Sequence, residues 1–220
     1  MTVIAIDGPA GSGKSTLARL LAERLGFAYL DTGAMYRAVT LLALRDGVAL
    51  DDGASLAALA RSAHLGFDGR GHVTAGEHDL SDEIRLPAVS AAVSQVSAHA
   101  QVREVLVAEQ RRIAESSDVV MEGRDIGTVV CPHAAVKIFL VADAPVRAER
   151  RRKELVAKGE HVDSEQNLAA IEARDAYDSS RDVAPLKAAP DAVRLDSSRL
   201  DIAAMIDAAT DIVHETLGEE

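Results

Sequence analysis

Tryptophan is absent from this chain, and aromatic residues make up only 3% of it. Its core must therefore be built from Ala, Leu, Val and Ile. Cysteine occurs once, as Cys131, which excludes an intramolecular disulfide and fits a reducing compartment. The neighbouring Val129 and Val130 favour a buried, inert thiol over a nucleophile. No Cys/His spacing suggests zinc. No stretch approaches the ~20 apolar residues of a membrane span. The N-terminal apolar run lacks a basic lead and ends at Asp7, so it does not read as a signal peptide. A soluble, cytoplasmic protein that does not engage membranes is the expectation. Positive charge is also in deficit. A net charge of −11 argues against a nucleic-acid polymer as partner, because phosphate-backbone binding needs a basic surface. A small phosphorylated ligand remains allowed, since a few clustered arginines suffice to hold it.

What is present suits one compact domain with a small insert: 220 residues, 48% hydrophobic and 27% charged. Near the N-terminus the β-branched run Thr2–Asp7 leads into Gly8, Pro9, Ala10, Gly11, Ser12, Gly13, Lys14, Ser15 and Thr16. Leu17 to Leu25 then has helical spacing. The pattern G-x-x-x-x-G-K-S in a strand–loop–helix context is that of a phosphate-cradling loop. Glycines let successive N–H groups wrap an anion, and the helix start adds its positive dipole end. Residues 8–16 are thus the candidate ATP site, with Lys14 reaching the β/γ-phosphates and the Ser15 hydroxyl binding Mg²⁺.

Further along, Gly26 to Leu30 reads as a helix stop and short strand, and Asp31-Thr32-Gly33 as a polar turn. A helix then carries Met35, Tyr36, Val39, Leu42 and Ala43 up to Gly47, and another runs from a cap at Asp51–Ser55 to about His64. Gly66, Gly69, Gly71 and Gly76 punctuate short runs between Leu65 and Leu80, which reads as a small antiparallel meander. Ser81 to Pro87 leads out of it, and a long helix is expected from about Ala98 to Glu115. Strands follow at Asp118–Met121, Ala135–Val141 and Ala192–Leu195. Helices are expected from Asp143 through an Arg-rich stretch to Lys158-Gly159, at Ser164–Ser179, and at Leu200–Leu217. This alternation indicates an α/β fold, a parallel sheet flanked by helices.

A phosphate loop alone does not separate kinases from GTPases or motor-like ATPases. The chain's one asparagine, Asn167, precedes Leu168, so the N-K-x-D guanine reader is missing. Arginines instead recur at strand ends and turns: Arg37, Arg103, Arg124, Arg150, Arg151, Arg174 and Arg181. A kinase whose acceptor is itself a phosphate needs such distributed guanidinium forks. It needs no general base, because the attacking oxygen is already an anion, so positioning and electrostatics carry the catalysis. Residues 174, 178 and 181 share one helical face, which suits either a site or an exposed ion-pair ladder.

The segments G-P-A-G-S-G-K-S-T, L-D-T-G-A-M-Y-R, S-Q-V-S…V-R-E, E-G-R-D-I-G-T-V-V, K-I-F-L-V-A and R-D-x-x-D-S-S-R-D-V-A-P-L occur in this order. Together they resemble the bacterial cytidylate kinases, over essentially the whole chain and including the meander. The resemblance implies a P-loop nucleoside monophosphate kinase fold that transfers phosphoryl from ATP to CMP or dCMP, with Mg²⁺. Its core would cover about 1–31, 93–144 and 180–220, its monophosphate-binding region with the β insert 32–92, and its lid 145–179. Thr32, Tyr36 and Arg37 would line the acceptor pocket, and Ser94, Arg103 and Asp125 would read cytosine. Arg124 would bind the acceptor phosphate, Arg174 and Arg181 phosphate and sugar, and Asp178 the ribose hydroxyls. Lys14, Arg124, Arg150 and Arg151 would form the catalytic set, the last two as lid arginines. Glu122 stands as a metal-shell or structural carboxylate. The plainer alternatives are a core aromatic at Tyr36, a cap at Ser94, and a solvated charge at Arg103. They continue with a turn former at Asp125 and a solvated basic face at Arg150 and Arg151. The rival functions are a kinase for another small acceptor and a nucleotide-dependent binding protein. A monomer is expected, because no large amphipathic surface stands out.

Overall fold

The computed structural model describes residues 1–68, 71–157, 159 and 161–218. Gly69 of the meander and Lys158 at the expected end of the Arg-rich helix lie outside the described residues. The chain opens with β1 (Val3–Asp7), α1 (Lys14–Leu25), β2 (Ala28–Asp31), α2 (Thr32–Asp46) and α3 (Gly53–Ser62). The meander follows as β3 (Leu65–Phe67), β4 (Val73–Ala75) and β5 (His78–Asp79), paired antiparallel in that order. Then come α4 (Pro87–Val96), α5 (Ala100–Ala114), β6 (Val119–Gly123) and β7 (Val136–Val141). The chain ends with α6 (Ala144–Ala157), α7 (Ser164–Ser180), β8 (Val193–Asp196) and α8 (Ile202–Leu217).

The larger sheet has the order β2-β6-β1-β7-β8 and is parallel throughout. Its central strand shows the two-residue alternation of a doubly covered sheet. Ile4 and Ile6 pack with Leu17, Leu21, Met205 and Val213 of α1 and α8, whereas Ala5 joins Leu30, Met121 and Val107 on the other face. A separate core under the meander unites Met35, Val39, Leu56, Val73, Ile84, Val89 and Leu106. In parallel sheets of this kind, ligands bind outside the carboxyl ends of the strands. Here those ends are Asp7, Asp31, Gly123, Val141 and Asp196.

Several local expectations need correction. Asp31-Thr32-Gly33 is no turn: α2 starts at Thr32, with the Asp31 carboxylate accepting from the Ala34 N–H at 3.0 Å. That carboxylate cap joins the helix directly to the strand. The expected Ala98–Glu115 helix is preceded by α4, which the sequence reading passed over. Pro87 presets its first turn, and Val89, Val93 and Val96 are its buried positions. Glu83–Arg85 forms a 3₁₀ turn, and Ile126–Val130 a π-helical turn directly after β6. The last helix starts at Ile202, two residues late, because the Asp201 carboxylate caps it through Ala204 N–H. Cys131 is half-buried rather than buried, and burial pushes its thiol up. Among the described residues no helix is long and apolar enough to cross a membrane.

Candidate active site

β1 ends at Asp7, and the loop that follows turns on glycines with positive φ: Gly8 at 153°, Gly11 at 75° and Gly13 at 97°. At Gly8 the requirement is also steric, since a Cβ there would lie 2.0 Å from the Leu140 carbonyl oxygen. Gly13 caps α1 without a side-chain bond, so the first amides of the helix face the loop unclaimed by any cap. The Lys14 ammonium bends across the loop and donates to the Pro9 carbonyl at 2.7 Å. Burial, seconded by Arg124, pushes its pKa down.

Beside this loop stands Glu122, on β6 opposite Ile6 of β1. It accepts from the Ser15 hydroxyl at 2.9 Å and from the Tyr29 hydroxyl at 2.6 Å. Burial is the main force pushing this carboxyl up, with Asp31 adding to it and Lys14 opposing. A hydroxyl and a carboxylate brought together beside an anion loop are a donor set that suits Mg²⁺, which completes its shell with phosphate oxygens and water. Among the described residues no group of three or more His, Cys, Asp or Glu could hold a metal by itself. Thr32 donates to the Glu122 carbonyl at 2.7 Å, tying α2 to the same strand end.

The chain then turns at Gly123, where a Cβ would meet Ile126 Cδ1 at 2.7 Å and Thr32 Oγ1 at 2.8 Å. This sends Arg124 and Asp125 in different directions. Asp125 is buried against Arg103 of α5 in a direct charged hydrogen bond, and the Arg103 guanidinium lies 5.5 Å over the Tyr36 ring. Burial raises the Asp125 carboxyl while Arg103 opposes. It pushes the Tyr36 hydroxyl up to about 12, with Arg103 opposing.

Arg124 reaches the other way, donating through Nε to Asp178 of α7 at 3.1 Å. Asp178 also faces Arg174 Nε at 3.9 Å and Arg181 Nη1 at 4.0 Å. Arg181, just past the end of α7, donates to the Ser97 hydroxyl at 3.1 Å and the Ala184 carbonyl at 3.2 Å. Arg37 donates to Ser90 Oγ at 3.0 Å. Burial lowers the pKa of Arg37, of Arg181 and of Arg174, the last to about 10, with neighbouring arginines adding to the effect. Thus the turn after β6 and α7 place Arg124, Arg174 and Arg181 around one buried carboxylate, and Arg37 of α2 stands near enough to feel the charges of Arg124 and Arg151.

Ser94 sits on α4, three residues before Ser97, and its carbonyl accepts from the Ser97 hydroxyl at 3.1 Å. No hydrogen bond joins its own hydroxyl to Arg103 or Asp125. On α6 the two expected lid arginines part company. Arg151 pairs with Glu154 at 3.3 Å, and its charge is felt by Arg37 and Arg174. Arg150 is fastened to the Ser12 carbonyl and to Ser197. The sequence reading missed Asp7, Ser97, Arg147 and Ser197 as parts of the site. Of these only Asp7 carries a local signal, an acid directly before the phosphate loop.

A cytidylate kinase family model matches residues 4–215. A cytidylate kinase of Geobacter sulfurreducens is 49% identical over 216 residues, covering 97% of this chain and 93% of that one. One of Pelotomaculum thermopropionicum is 53% identical over 204 residues, 90% of each. Among solved structures, an uncharacterized protein from Eubacterium ventriosum aligns over 100% of both chains with a TM-score of 0.55 at 14% identity. A gluconokinase from Sinorhizobium meliloti covers 100% of this chain and 98% of its own, at TM-score 0.50 and 15% identity. These two likenesses speak to the fold, a P-loop kinase sheet with its flanking helices.

Proposed function

Since the chain belongs to the cytidylate kinase family, we infer that it transfers the γ-phosphoryl group of ATP to CMP or dCMP, giving ADP and CDP or dCDP. An oxygen of the acceptor's phosphate attacks the γ-phosphorus, and the bond to the β,γ-bridging oxygen breaks as ADP leaves. The attacking oxygen is already anionic, so no side chain has to remove a proton. Residues 8–16 hold the ATP phosphates, and Lys14 leaves the Pro9 carbonyl to meet them. Mg²⁺, held through Ser15 with Glu122 behind it, would neutralise charge between the β- and γ-phosphates. Arg37 and Arg124 hold the acceptor phosphate, Arg174 and Arg181 phosphate and sugar, Asp178 the ribose hydroxyls, and Arg151 covers the transferring group. The core, the monophosphate-binding region and the lid divide as the family resemblance implies. The protein works as a cytoplasmic monomer on these small molecules.

The observation that carries the cytosine reading is the buried Asp125–Arg103 pair against the Tyr36 ring, where Asp125 also feels the charges of Arg181 and Arg124. Cytosine offers a donating amine, which Asp125 accepts, and an accepting nitrogen and carbonyl, which Arg103 and Ser94 serve. Uracil presents a carbonyl where the amine stood, leaving buried acceptors facing each other. A coupled ADP-release screen over CMP, dCMP, UMP and AMP tests this. Turnover should be confined largely to the cytidine nucleotides, and equal or greater turnover with UMP or AMP overturns the assignment. ATP hydrolysis without an acceptor, indifferent to CMP, would mark a nucleotide switch instead.

A further inference from the structure

Two arginines one helical turn apart on α6 meet the phosphate loop through its carbonyl oxygens. Arg147 is buried and fully engaged. Its Nε donates to the Ala142 carbonyl at 2.9 Å, its Nη1 to the Ala10 carbonyl at 3.1 Å, and its Nη2 pairs with Asp175 of α7 at 2.6 Å. Arg150 donates through Nη1 to the Ser12 carbonyl at 3.1 Å and the Ser197 hydroxyl at 3.0 Å, and through Nη2 to the Ser197 carbonyl at 2.6 Å. Ser197, itself buried, lies with its Oγ 2.9 Å from the same Ser12 carbonyl. The loop rests directly on this support. A Cβ on Gly11 would come within 3.2 Å of Arg147 Cβ, and one on Gly13 within 3.5 Å of Met205 Sδ.

We propose that Arg147 and Arg150 are positioning residues that clamp the phosphate loop from behind, fixing the Ala10 and Ser12 carbonyls outward so that the intervening amides face the nucleotide. In a trans peptide the carbonyl of one residue and the N–H of the next point in opposite directions. Holding Ala10 C=O outward therefore turns Gly11 N–H inward, and holding Ser12 C=O outward turns Gly13 N–H inward. Left-handed glycines at 11 and 13 are free to adopt other conformations, so a nest of amides built on them needs an outside hold to stay formed without its anion. Arg147 supplies that hold from the sheet end and α7, Arg150 from the loop before α8. The clamp rests on the assignment of this loop to nucleotide phosphates, but not on the identity of the acceptor.

The alternative places Arg150 on the transferring phosphoryl group, and the two roles separate cleanly. An arginine on the γ-phosphoryl group favours ATP and is indifferent to ADP. A clamp that shapes the cradle acts on both, because both present a β-phosphate. Isothermal titration of ADP and of ATP into the full chain, with Arg147→Met, Arg150→Met and Ser197→Ala, reads this without turnover. Both nucleotides should weaken by the same factor, about tenfold for each arginine and less for the serine. Loss confined to ATP, or no loss of either, overturns the clamp. Thermal melts check that each variant folds. Should an arginine variant not fold, Ser197→Ala still decides: its hydroxyl bonds Arg150, the Ser12 carbonyl and the strand-end Val141 carbonyl, so a loss of nucleotide affinity with the melt unchanged reports on the clamp. A wild-type chain that binds neither nucleotide would reject the phosphate-loop reading itself, whereas failure of the cytosine assignment leaves these titrations unaffected.

Discussion

Asp7 ends the central strand, is 4% exposed, and accepts the N–H groups of Ile126 and Gly127, both at 2.8 Å. It thereby pins the π-helical turn that follows Arg124 and Asp125. Burial outweighs those two amides and pushes its carboxyl from an ordinary 3.8 up to about 6. The folded protein is therefore the better proton binder between these values, and stability on account of Asp7 falls as pH rises through that window. The rise from 3.8 to about 6 corresponds to about 3 kcal/mol, fully felt above pH 6 and absent below about pH 4. About 2 kcal/mol of it falls between pH 4.5 and 7.5. Asp7→Asn removes the titration. The amide accepts one backbone N–H but turns its own donors on the other, a roughly constant cost of about 1–3 kcal/mol. Urea melts of both proteins at pH 4.5, 6.0 and 7.5 isolate the contribution of Asp7, because the other carboxylates cancel in the difference. Relative to wild type, the variant should gain stability with rising pH, moving the midpoint difference by about 1 M urea across the range. A difference flat in pH, or a gain towards acid, would refute the burial account of Asp7.

Lys14→Met should lower turnover at least about a hundredfold while raising the melting temperature. The folded pKa of this buried ammonium is depressed, so the residue costs stability at neutral pH, a cost that fades only as pH climbs towards 10.5. Near-normal ADP release rejects the loop's role, and a lower melting temperature rejects the desolvation. Gly123→Ala drives a methyl group into Ile126 and Thr32 Oγ1 and should cost about 1–3 kcal/mol in urea melts. A loss under about 0.5 kcal/mol would mean that the turn yields freely. Asp125→Ala strands a buried Arg103 and should cost about 3–5 kcal/mol of stability. CMP turnover should collapse with ATP binding kept, and equal loss of both would assign the pair a structural role.

Periodicity and turn chemistry made most of the fold legible. The apolar strand at 136–141, the glycine stops at Gly26 and Gly47, and the meander all carry local signals that tertiary contacts reinforce. α4 escaped because its apolar stripe, Val89, Val93 and Val96, is short and sits among serines and alanines without a polar cap. The π-helical turn escaped because its cause lies over a hundred residues away, in the carboxylate of Asp7. The site divides in the same way. The phosphate loop is contiguous and therefore readable. The bond between Arg150 and Ser197, or that between Arg147 and Asp175, exists only once α6 is laid against its neighbours, and no spacing announces it.

The arrangement of charge explains how an acidic protein comes to bind an anion. Arg37, Arg124, Arg151 and Arg174 come from four separate segments, and the first three all depress the pKa of Arg174. The carboxylate within hydrogen-bonding reach of Arg124 is Asp178, which Arg174 and Arg181 also face at longer range. Asp178, with Asp31 acting on Arg37 and Glu154 paired to Arg151, still leaves these guanidinium groups lowering one another's pKa, so the cluster favours the arrival of a further anion. A phosphate dianion placed there relieves several repulsions at once. On the proposed assignment, that relief is largest where Arg37 of α2, Arg124 after β6 and Arg174 of α7 meet one phosphate group. A nucleoside lacking the phosphate gains only the contacts of its base and sugar. Selectivity for a monophosphate acceptor then follows from the stored repulsion among the arginines, and the surplus of acid elsewhere on the surface does not weaken it, because salt screens exposed charges beyond about 8 Å.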